Sequence, residues 1–88
     1  MKLTREKKVE FSKMLVNKVK NLKLPVKPTR TKPLILVDKK SKSVSVTLDF
    51  SLTAKSKEGF YLLKKQDFKS VNLDNSSNIV RVTDTFTY

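Results

Sequence analysis

SVSVTLDFSLT, residues 43–53, decides how this chain is read. Val44, Val46, Leu48, Phe50 and Leu52 alternate with serine, threonine and aspartate. Period-two alternation marks a strand with one face in a core and one in water. Upstream, DKKSK (38–42) reads as a turn and LILV (34–37) as a short strand, apolar on both sides. Downstream, TAKSKEG (53–59) is a loop ending in the only glycine. FYLLKKQDF (60–68) reads as a strand or a strand entering a turn, with a short helix over GFYLLKKQDFKS (59–70) as the alternative. SVNL (70–73), DNSSN (74–78) and IVRVTDTFTY (79–88) form a hairpin pattern. In its last strand Val80, Val82, Phe86 and Tyr88 share a face that Asp84 interrupts.

The N-terminal part has a different period. Phe11, Leu15, Val19 and Leu22, with Met14 beside them, form one apolar helical stripe, and Val9 and Val16 form a second row. Thr4 is placed to cap this helix and Glu6 sits in its first turn, where the helix dipole favours an acid. Glu10 can pair with Lys7 or Lys13 one turn away. Pro25 ends the helix, because the residue before a proline avoids the α region. Pro28 and Pro33 then hold the chain extended, near polyproline II, in LKLPVKPTRTKPL (22–34).

These elements predict one α+β domain over residues 1–88: a helix over 1–23, a basic proline-containing arm over 24–33, and an antiparallel sheet of four to five strands over 34–88. The helix covers one face of the sheet. A small five-stranded barrel with an N-terminal helix is the alternative.

Composition narrows the chemistry. The chain has no cysteine and no histidine, which removes disulfides, thiolate metal sites and the commonest general base. Its eight carboxylates are scattered, and Asp67 and Asp74 both flank turns. One glycine cannot build a phosphate-cradling loop. The sequence therefore speaks against an enzyme and implies no metal and no cofactor. The apolar segments fall short of a membrane span, and the N-terminus lacks the apolar run of a signal peptide. The expected location is the cytoplasm, of a host cell if the chain is viral, or a virion interior.

The charge is the informative feature. Net charge is +12. Residues 1–42 hold 14 Lys and Arg against three acids, whereas residues 43–88 hold six against five. Such a concentration points to a partner of high negative charge density. Seventeen of the 20 basic residues are lysine. Lysine meets phosphate as a point charge, while arginine makes the bidentate contacts that read guanine. The lysine excess also fits A-rich coding, as KKSKS and NLDNSSN do, and so a low-GC bacterium or a phage as source.

The candidate binding residues are Lys18, Lys20, Lys23, Lys27, Arg30 and Lys32, six cations with no acid between Glu10 and Asp38, extended by Lys39 and Lys40. Tyr61 with Lys64 is a candidate for stacking a base. The leading expectation is a small nucleic-acid-binding protein, DNA or RNA, making largely non-sequence-specific phosphate contacts. A phage or mobile-element protein that modulates a host protein through its acidic surface is the alternative. A structural component of a virion or ribonucleoprotein comes next, and attachment to anionic lipid last. Open sheet edges also make a homodimer an expected assembly.

Overall fold

The computed structural model describes residues 3–53, 57–74, 76 and 78–88. The strand read from 43–53 is β3 (Ser43–Leu52), and everything else is arranged on it. Along one edge β3 pairs antiparallel with β5 (Ile79–Thr87), from Ser43 opposite Thr87 to Ser51 opposite Ile79. Its other edge is shared. β2 (Leu34–Asp38) takes residues 43–47 and β1 (Val26–Pro28) takes residues 50–52. β4 (Ser70–Asp74) lies outside β5. All five strands pair antiparallel, and the sheet is open, so the fold is α+β and not a closed barrel.

β3 and β4 both run against β5 and are therefore parallel to each other. Between them in the chain lies α2 (Glu58–Lys64), giving a βαβ unit split by β5. This corrects the strand reading of residues 60–68 and bears out its helical alternative. The loop residues 54–56 and the turn residues 75 and 77 lie outside the described residues.

The alternation of β3 sets two faces. Val44, Val46, Leu48 and Phe50 are buried, joined by Val80 and Val82 of β5. Over this face packs α1 (Arg5–Asn21), whose Phe11, Leu15 and Val19 complete the core, with Leu63 from α2. Phe11 stacks on Phe86, ring centroids 5.1 Å apart and planes within 9°. Thr4 caps α1 by accepting from the Lys7 N–H at 3.2 Å. The C-terminus closes before proline acts: Lys23 takes a left-handed φ of 52°, and the Leu22 and Lys23 N–H groups bond back to Val19 and Lys20.

The arm differs from the free polyproline rod that its composition suggests. Val26–Pro28 is a strand stitched to Leu52–Phe50. Pro28 is tolerated there because β1 is an edge strand. Pro28 opposes Phe50 and Leu34 opposes Thr47, so residues 29–33 span only two residues of β3 and bulge outward. Thr29 pins the bulge: its N–H and its hydroxyl both donate to the Asp49 carbonyl, at 3.2 and 3.1 Å.

Gly59 lets α2 sit down on the sheet. A Cβ there would stand 2.7 Å from Val26 Cγ1, 3.2 Å from Leu52 Cδ2 and 3.2 Å from the Pro25 carbonyl oxygen. Gly59→Ala should therefore destabilise by about 1–3 kcal/mol through overpacking, despite the gain of about 1 kcal/mol in helix propensity. Urea unfolding measures this; an unchanged or raised midpoint would show that α2 is not held against β1.

A basic groove beside the N-terminal helix

The second valine row of α1 leads to the candidate site. Val9 is 47% exposed and Val16 is half-buried, so this row is not consumed by the core. It faces the bulge and the start of β2, and between them runs an open groove of about 700 Å³. Val9, Val16, Pro33, Ile35 and Leu48 give it an apolar lining. Arg5, Lys8, Lys13 and Lys20 stand along its helix bank, and Lys32 stands on the opposite one. No acid lines it. From Arg5 to Lys20 the helix advances about 22 Å at 1.5 Å per residue. Among the described residues none of these five cations is in an ion pair. Glu6 and Glu10 lie in the adjoining hollow, which Arg5, Val9 and Lys13 also line. Glu10 is paired with Lys7 at 3.5 Å, one of the two partners expected for it.

The residues singled out from sequence scatter over this frame. Lys20 and Lys32 line the groove. Lys23, just past the helix, and Arg30, in the bulge, are exposed but do not line it. Lys27 opposes Ser51 and so belongs to the uncovered face of the sheet. Lys39 and Lys40 form the tip between β2 and β3, where the Asp38 carboxylate accepts from the Lys40 and Ser41 N–H groups at 3.0 and 3.4 Å. Hydrogen bonding from Ser41, side chain first, and then from Lys40 holds the Asp38 carboxyl below its ordinary value. This turn contact is thus present at neutral pH and fades as the carboxyl protonates in acid. Tyr61 and Lys64 are exposed on α2. α2 packs on Leu52 at the other end of β3, so the tip and α2 stand about 30 Å apart at 3.3 Å per residue. Lys64 lies 5.6 Å from the Phe60 ring centroid, and Tyr61 tilts against the same ring at 5.2 Å.

Lys18 has a structural job instead. Its ammonium meets Asp84 at 3.1 Å, donates to the Asp67 carbonyl at 3.3 Å and stands 4.7 Å from the Phe68 ring centroid. Asp84 breaks the apolar row of β5, and Lys18 explains how the core side tolerates it. The charge lies across α1 from the groove.

Sequence reasoning missed Arg5, Lys8 and Lys13. For Arg5 and Lys13 the signal was available: on a helical wheel they flank Val9 and Val16, the row that the core stripe leaves over, whereas Lys8 falls between Leu15 and Val19 and gave none.

The uncovered face of the sheet is mostly polar, with Leu34 and Leu36 exposed on its β2 edge, opposite Thr47 and Ser45. It carries hydroxyl pairs, Thr47 with Thr83 at 2.8 Å and Ser45 with Thr85 at 3.5 Å, and the Asp49–Arg81 ion pair at 3.0 Å. The hydrogen bond from Arg81 to Asp49, and then their Coulomb attraction, raise the guanidinium pKa further above its ordinary value. Among the described residues its strand positions include no aromatic.

Among the described residues no group of three or more acidic side chains could hold a metal ion, and no helix is long and apolar enough to cross a membrane. The chain matches no protein-family model, no curated protein and no solved structure.

Lys18→Glu should lower stability by about 1–3 kcal/mol, since it sets a carboxylate beside the largely covered Asp84. Denaturant unfolding checks it; a variant as stable as the parent would return Lys18 to the pool of cations available for binding.

Proposed function

We propose that this chain binds nucleic acid through its phosphates, along the groove between α1 and the arm, with little sequence readout. The observation that carries the reading is the rim: four lysines and one arginine, without an acid among the lining residues and without ion-pair partners. Surfaces shaped only for solubility mix both signs. Lysine is depleted at protein–protein interfaces, where arginine and aromatics dominate, but it serves phosphate well as a point charge. Non-specific phosphate binding fits a cytoplasmic or virion setting.

Five phosphate contacts imply a loss of affinity on the order of 10²–10³-fold between about 50 and 200 mM salt. Combined Lys13→Glu, Lys20→Glu and Lys32→Glu substitutions should weaken binding of a fluorescent oligonucleotide by about a hundredfold or more. Reversing Lys39 and Lys40 at the β2–β3 tip, which do not line the groove, should change it far less. Equal losses in both variants would show that binding follows net charge and has no site.

A second reading rests on the outer edge of β2. Leu34 and Leu36 are 57% and 61% exposed there, and among the described residues β2 pairs only with β3. Such an edge accepts a strand from another chain. On this reading an acidic host protein is steered by the groove and docked on β2, or a second copy pairs there. Leu36→Lys separates the two: it should spare oligonucleotide binding while abolishing strand pairing, seen as loss of association in sedimentation.

A further inference from the structure

Resting on the nucleic-acid reading, we infer that the groove takes a single strand, with phosphates on the basic banks and unpaired bases on the apolar lining. A duplex turns its bases inward and presents an outer surface of phosphate and sugar. It can touch the banks, but it leaves the valines and Ile35 between them uncovered. A single strand also brings a row of phosphates, and it has exposed base faces for that lining to cover. Val9 remains nearly half exposed in the middle of the rim, which is the arrangement such a ligand needs. Charge complementarity calls for a polyanion, because cations stand on both banks, and the apolar lining between them favours the single strand over the duplex. A bank of about 22 Å accommodates about six nucleotides at the 3.4 Å rise of a stacked strand. The lining is aliphatic, so no ring stacking distinguishes one base from another, and preference among bases should be weak.

Fluorescence anisotropy with a 12-mer of thymidine, an RNA of the same length and a 12-base-pair duplex tests this. The single strands should bind at least tenfold more tightly than the duplex at equal salt. Log affinity should fall with log salt at a slope near −3.5, from five contacts at about −0.7 each. Val9→Ser should weaken the single strand about threefold or more and leave that slope unchanged, and as a position nearly half exposed and outside the core it should leave the melting curve in place. A duplex bound as tightly as the strand overturns the single-strand inference and leaves phosphate binding standing. No binding of any oligomer at about 50 mM salt overturns both. Displacement of the strand by polyglutamate at equal charge concentration overturns the inference too, and assigns the groove to an acidic protein.

Discussion

The in-and-out alternation of β3 is the constraint on which the rest depends. Its inward row forms the floor on which α1 and α2 pack, and strands pair along both of its backbone edges. β5 covers one edge over nine residue pairs, and β1 and β2 divide the other. A one-residue slip in register would turn every inward valine to water. The pairing of Phe50 with both Pro28 and Val80 also fixes where the arm meets the sheet. The bulge that carries Lys32 is a consequence: two pairing segments share one edge with more chain between them than that edge can match.

From that frame the cations divide into two populations. Lys7 and Lys18 lie toward the core side of α1 and are spent on Glu10, Asp84 and aromatic rings. Arg5, Lys13 and Lys20 lie on the other side, Lys8 reaches the groove from beside the core stripe, and Lys32 faces them from the bulge. A chain of net charge +12 repels itself. Holding five cations without an ion-pair partner among the described residues around one apolar groove raises that repulsion locally. A polyanion in the groove relieves it, which connects the fold to the proposed activity.

Much of the architecture was legible in the sequence because it repeats. Five alternating residues specified β3, the stripe from Phe11 to Leu22 specified α1, and the two runs around residues 74–78 specified the final hairpin. β1 was not legible, and α2 was legible only as the alternative to a strand, for physical reasons. β1 has three residues beside prolines and exists only because β3 has an edge to spare. α2 has seven residues rich in β-favouring aromatics, and its place is set by the missing side chain of Gly59 against Val26 and Leu52. The basic arm was visible as charge, but its centre was misplaced. Proximity in sequence grouped Lys18 with Lys32; the fold separates them and brings Lys32 to Arg5, Lys8 and Lys13 across the groove.

The central claim is that the rim of this groove, and no other basic surface of the chain, meets the phosphates. An amide NMR titration of the labelled protein with a short oligonucleotide tests it most directly. The account predicts shifts concentrated at Lys8, Lys13, Val16, Lys20, Lys32 and Ile35, fading at high salt, with the tip at Lys39–Lys40 and helix α2 silent. Shifts centred on Thr83, Thr85 and Arg81 of the uncovered sheet face, or spread evenly over every lysine, would contradict it.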